Sequence, residues 1–227
     1  MKNRFCLGIV ILPLTIFAQN ITPNVLKTID VNLQVQKNRG EVYDQYVDVE
    51  GSPYMEDAFL PAMLYPDEKL YLARYNAKDD EIEVNLGENG ILVLDNSRRD
   101  YKMVFKDSGL TYLTLHGDGI RLSGYFIEVS SADKVSVYKK QVKRYFPGKK
   151  ATDNFSKNQN AYFSTPKEVY YIQLGNGTLE EIPKSRNSFA KLFGSKEDAI
   201  KNFIKKNKID LENEEDIKKV VAFIVSK

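Results

Sequence analysis

The chain has 227 residues, with 33 basic and 31 acidic side chains, one histidine, one cysteine and no tryptophan. That length supports one domain with a substantial core, or a domain with a small appendage. One histidine excludes a histidine-rich zinc site, and the near balance of charge gives no general case for nucleic acid or an anionic membrane as partner.

Lys2 and Arg4 precede an apolar run over 5–17, which ends at Ala18-Gln19-Asn20. A short cationic head, an apolar centre and a small residue before a polar start form the pattern of a cleaved secretory signal, expected at 1–18. The run is shorter than the about twenty residues a membrane helix needs, and Pro13 interrupts it. Cleavage would remove Cys6, and a cysteine-free mature chain has no disulfide, no thiolate catalysis and no cysteine metal site. It would also remove Lys2 and Arg4, leaving 31 basic residues against 31 acidic ones. The expected location is periplasmic or secreted, with no integral membrane segment after cleavage.

From 29 to about 179 the apolar period is mostly two, the spacing of strands with one face inward. Ile29, Val31, Leu33 and Val35 alternate with polar residues, as do Ile82, Val84 and Leu86. The segments 70–73 and 91–94 are continuous apolar runs, which suit strands covered on both faces. Further strands are expected at 41–49, 101–106, 110–115, 120–129, 134–146 and 168–174. Turn signals at 51–53, 76–80, 87–90, 95–96, 107–109, 117–119 and 175–177 separate them. The polar segment 149–164 is expected as a linker or mobile loop.

Near Pro183 the pattern changes. Ser185 can cap a short helix through Phe193 that stops at Gly194, and Ser195 can cap a second with Ala199, Ile200, Phe203 and Ile204 in one stripe. Asn213 can cap a third, whose first turn holds Glu214, Glu215 and Asp216 and whose apolar side is Ile217, Val220, Val221 and Ile224. The expected fold is therefore α+β and mainly β: an antiparallel β-meander over 21–183, able to curve strongly, with a three-helix segment over 184–227 docked on it.

Chemistry-bearing groups are sparse. His116 in Leu115-His116-Gly117-Asp118 is the only imidazole available for proton transfer, but no motif places a nucleophile beside it. Asp79, Asp80, Glu81 and Glu83 are the obvious carboxylates for a glycosidase-like pair, yet Glu81 and Glu83 alternate with Ile82 and Val84 as solvated strand charges do. Asp210-Leu211-Glu212-Asn213-Glu214 has oxygen groups at alternate positions, without the glycine of a calcium loop, and reads as helix capping. No catalytic residue, cofactor or metal is assigned. Sequons stand at Asn20, Asn154 and Asn176. The best binding candidate is the strand where cations meet aromatics, with Tyr138, Lys140, Lys143, Arg144 and Tyr145 as ligand-binding residues and Phe146, Lys149 and Lys150 beside them.

At Gly51-Ser52-Pro53-Tyr54, Arg74-Tyr75-Asn76 and Asp80-Glu81-Ile82-Glu83 the chain resembles a group of uncharacterised exported proteins of Bacteroidetes. The likeness continues at Tyr138-Lys139-Lys140, at Ile204-Lys205-Lys206-Asn207-Lys208 and at Glu214-Glu215-Asp216. It implies an exported, periplasmic protein and no particular chemistry. A helical C-terminus differs from the β-rich sorting domain used for secretion in that phylum. The expected function is a non-catalytic exported binding or interaction protein with a protein, glycan or lipid partner. The alternatives are a lipid or hydrophobic-ligand carrier with a half-barrel cavity and a carboxylate-based hydrolase.

Overall fold

The structure is a computed structural model that describes residues 46, 48–66, 68–94, 96, 101–116, 122–151 and 157–226. The expected signal at 1–18 and the expected strand at 29–35 lie outside them. Twelve strands and three α-helices are found among the described residues. In chain order the strands are β1 Leu60–Tyr65, β2 Lys69–Asn76, β3 Glu81–Asn85, β4 Ile91–Leu94, β5 Lys102–Phe105, β6 Thr111–His116, β7 Ser123–Ala132, β8 Val135–Val142, β9 Tyr145–Phe146, β10 Tyr162–Phe163, β11 Lys167–Leu174 and β12 Leu179–Glu181. The helices are α1 Arg186–Lys191, α2 Glu197–Asn207 and α3 Glu214–Val225.

Ten strands form one antiparallel sheet in the order β12-β11-β8-β7-β6-β5-β1-β2-β3-β4, strongly curled into a half-barrel. The α+β, mainly β expectation holds. The meander is broken once: β5 pairs with β1 rather than β4, so two runs of hairpins join through their first strands. β1 escapes the sequence reading because Pro61 argues against a central strand. Its ring lies where β5 has ended, and the Pro61 carbonyl accepts from the Lys106 N–H at 2.9 Å, so the missing amide costs only a terminal rung.

The curl is visible in three tyrosines. Tyr75 on β2 and Tyr112 on β6 have ring centroids 4.6 Å apart, and Tyr75 and Tyr125 on β7 are 6.4 Å apart. In a flat sheet β2 and β6 would stand about 14 Å apart, three strand spacings. Phe105 packs edge-on against Tyr112, and Leu64, Ile82, Leu94 and Met103 are fully buried with these rings. Tyr125 Oη donates to the Leu94 carbonyl at 3.2 Å, tying the end of β4 to β7.

The helices share the core of the sheet. Ile200, Ile204, Ile217, Val220, Val221, Ile224 and Phe189 form one cluster with Val135, Val137, Tyr170 and Ile172 of β8 and β11. Phe203 and Phe223 stack at 4.1 Å between α2 and α3. Asn213 caps α3 as expected, accepting from the Asp216 N–H at 3.1 Å, and Ser185 caps α1. Ser195 does not cap α2. It lies in a 3-10 turn, Gly194–Lys196, and Lys196 precedes the helix without a side-chain cap.

Other expectations are corrected in detail. The described part of 41–49 is turn, with the Val49 N–H bonded to the Tyr46 carbonyl at 3.1 Å. Leu70 and Leu72 are not covered on both faces: they remain 52% and 44% exposed on the convex side, while 91–94 is buried beyond Ile91. The single strand over 134–146 is two strands, because the Lys143 N–H leaves the ladder to bond the Ala77 carbonyl at 3.0 Å. Within 149–164, expected as a linker or mobile loop, Lys149 pairs with Gln159 and Tyr162–Phe163 form a strand.

Candidate functional site

The β2–β3 turn fills the mouth of the curl. Asp80, at a left-handed φ of 58° that aspartate tolerates, turns its carboxylate inward. Oδ1 accepts from Tyr75 Oη at 2.8 Å and from the Tyr125 N–H at 3.2 Å, and Oδ2 pairs with Lys140 Nζ at 2.7 Å. Burial, only partly offset by Lys140, pushes the Asp80 carboxyl above its usual range. Burial and the neighbouring Asp80 likewise push the Tyr75 hydroxyl well up. Lys140 Nζ also donates to the Ser123 carbonyl at 2.8 Å and lies 4.8 Å from the Phe126 ring. The Lys140 ammonium is thus committed to groups within the fold.

On the convex side of the same hairpin, Arg74 and Glu83 are cross-strand partners: Arg74 Nε and Nη2 both donate to Glu83 Oε2, at 3.0 and 2.8 Å, while Tyr54 Oη donates to Oε1 at 3.2 Å, and the pair is exposed by only 6% and 1%. The guanidinium lies 3.5 Å from the Tyr54 ring centroid and 4.2 Å from that of Phe59, and it donates to the Asp57 carbonyl. Burial lowers the Arg74 pKa against the opposing pull of Glu83. The expectation that Glu83 is a solvated strand charge is therefore overturned. Alternation had placed it on the outer face correctly, but the segment 52–59 covers that face.

Three of the four acids singled out for hydrolysis, Asp79, Asp80 and Glu83, are held by side-chain partners. Asp79 holds Lys78 and Asn76, Asp80 holds Lys140, and Glu83 holds Arg74. In 210–214, Asp210 and Asn213 bind backbone amides, while Glu214 pairs with Lys139 and Lys218, so capping and ion pairing account for the pattern. Among the described residues no group of three or more His, Cys, Asp and Glu side chains is placed to hold a metal. His116 ends β6 opposite Ser123, with its Nε2 buried and without a hydrogen bond; Asp118 lies outside the described residues.

The five candidate binding residues divide. Tyr138 is buried against Phe126, Tyr171 and Leu179, and Lys140 is committed to Asp80. Lys143 Nζ donates to the Ser52 and Tyr54 carbonyls, which anchors the 52–59 segment. Arg144 and Tyr145 lead instead into a second, two-stranded sheet of β9 and β10. Tyr145 packs on Tyr46 and Phe163 on one side of this ribbon. On the other side Phe146 and Tyr162, directly opposite each other, stack at 4.9 Å with planes 12° apart and remain 39% and 42% exposed.

The ribbon continues beyond the stack. Lys149 and Gln159 exchange two backbone bonds of 2.8 Å, in the same register as Phe146 with Tyr162. Gly148 makes this possible: a Cβ there would lie 2.9 Å from the Gln159 carbonyl oxygen and 3.0 Å from the Ala161 nitrogen. Glu50 bonds to Ala161 and Phe163 along the free side of β10. Tyr162 was hidden from the sequence reading by its polar surroundings; the Tyr162-Phe163 doublet was the one signal there.

Among the described residues no helix is long and apolar enough to cross a membrane. No family model, no curated protein and no solved structure matches the chain.

Proposed function

We propose that this is an exported, non-catalytic binding protein whose recognition surface is the β9–β10 ribbon. The observation that carries this reading is the Phe146–Tyr162 stack, two rings about two-fifths exposed where Tyr75, Phe105, Tyr112 and Tyr125 inside the curl are at most 6% exposed. Paired rings left open to solvent mark interaction surfaces more often than not. The leader-like first eighteen residues and the resemblance to exported proteins of Bacteroidetes support an exported compartment, with the periplasm first.

The rival readings have less support. A carrier needs an apolar cavity within the curl, and the inner face between β2, β6 and β7 is taken up by touching rings. A carboxylate hydrolase needs two acids facing a cleft, and Asp80 and Glu83 are each engaged by a buried cation.

The test is a binding panel of glycans, lipid vesicles and periplasmic proteins, run with the wild type and with Phe146→Ala/Tyr162→Ala. One class should bind the wild type and be weakened at least tenfold in the variant. Equal binding by both proteins across the panel would overturn the assignment of the surface.

A further inference from the structure

We infer that the ribbon takes an acidic polysaccharide, a reading that rests on the ribbon being the recognition surface. The first support is placement. The pairs Phe146 with Tyr162 and Lys149 with Gln159 keep one register, so side chains alternate without a bulge from Arg144 to Lys150. Arg144, Phe146, Gly148 and Lys150 then share the face of Tyr162, with Asn158 and Asn160 across from Lys150 and Gly148. Arg144, Lys150, Asn158 and Asn160 are all exposed. The face is thus a pair of rings with a cation at either end, the Asn160 amide alongside, the Asn158 amide whose Oδ1 accepts from the Ala151 N–H at 2.8 Å, and, at Gly148, a floor without a side chain.

The second support is charge. Between Lys143 and Lys157 the sequence holds five cations, Lys143, Arg144, Lys149, Lys150 and Lys157, against the single acid Asp153. The rest of the chain is therefore slightly acidic in sum, and the ribbon is a cationic region, as is the lysine-rich face of α2 at Lys201, Lys205 and Lys206. Of the five, Lys143 is occupied internally, which leaves the others outside the core.

These groups fit an extended chain of acidic sugars. A sugar ring presents a flat C–H face that rests on an aromatic ring, its hydroxyls bond to amides, and its carboxylate or sulfate is met by Arg144 or Lys150. From Arg144 to Lys150 the strand spans about 20 Å, long enough for several sugar units. An anionic membrane fits less well. Among the described residues the exposed ring pair stands at the base of the ribbon, before the Lys149–Gln159 pair, rather than at a protruding end, and vesicle flotation tests the membrane directly.

The experiment is affinity electrophoresis of the full-length mature protein through gels containing polygalacturonate, alginate, a neutral polysaccharide or single-stranded DNA, with flotation on anionic vesicles in parallel. Retardation is expected with polygalacturonate or alginate, reduced at least tenfold by Phe146→Ala/Tyr162→Ala and by Arg144→Gln/Lys150→Gln, and weakened by salt. All substituted residues are exposed, and an unchanged far-ultraviolet dichroism spectrum and urea midpoint confirm the fold. Equal retardation by the neutral polymer, or stronger binding to DNA, overturns the acidic-sugar inference. Binding to vesicles alone, lost in the ring variant, also overturns it while leaving the ribbon as the recognition surface. Polysaccharide binding untouched by the ring variant overturns both.

Discussion

The Asp80 carboxylate occupies the space that any side chain on residue 124 would need: a Cβ at Gly124 would lie 1.8 Å from Asp80 Oδ2 and 2.9 Å from Lys140 Nζ. Gly124 also has a φ of 121°, a conformation that only glycine adopts without strain. Absence of a side chain on β7 is thus what admits the β2–β3 turn, and with it the ion pair that closes the curl. Gly124→Ala is expected to cost about 3 kcal/mol or more, because it both strains the backbone and separates a buried pair. Urea denaturation measures this, and a loss below about 1 kcal/mol would show that the turn docks without the pair.

Arg74 and Glu83 provide a second test of buried charge. Glu83→Leu leaves a guanidinium stranded between Tyr54 and Phe59 and should cost about 3–5 kcal/mol. The double variant Arg74→Met/Glu83→Leu should recover most of that loss, since a matched apolar pair needs no counter-charge. A double-mutant cycle read by urea denaturation decides it; additive losses would show that the two side chains stabilise the hairpin independently.

Acid should loosen the docking of α3. Burial alone would raise the carboxyls of Glu168 and Glu214, but hydrogen bonds and charge from Lys139, at 2.7 Å from each, outweigh it and leave both below their usual values. A depressed folded-state pKa gives stability that is present above the unfolded value and disappears as pH falls through the folded one. Asp80, raised by burial, has the opposite sign and is stabilising most at low pH. The measurement is therefore the difference between wild type and Lys139→Gln: the advantage of the wild type should shrink as pH drops below the ordinary glutamate range. A constant difference would show that Lys139 acts through packing.

Gly148→Ala should open the ribbon without unfolding the half-barrel. Its Cβ would press on backbone atoms of Gln159 and Ala161, which cannot rotate away, at a cost of about 1–3 kcal/mol. Hydrogen exchange at the Lys149 and Gln159 amides should accelerate while amides of β6 and β7 keep their protection. Uniform acceleration would mean that the ribbon and the sheet unfold as one unit.

Much of this architecture could be read from local pattern. Period-two alternation located most of the strands from β2 to β11, and side-chain chemistry located the caps at Ser185 and Asn213, because pleat and capping are properties of adjacent residues. The break of the 134–146 strand at Lys143, the pairing of β5 with β1 and the burial of Glu83 depended on partners far away in the chain. A lysine committed to Ser52 and Tyr54 and a lysine left in solvent are identical in sequence, which is why Tyr138, Lys140 and Lys143 were grouped with Arg144 and Tyr145. Sequence by itself determined the kinds of element and the aromatic and cationic content of the ribbon, since those follow from residues within a few positions of one another. Only the tertiary structure decided which charges are interior and which rings stay in water, because desolvation is set by whatever the rest of the chain packs above them.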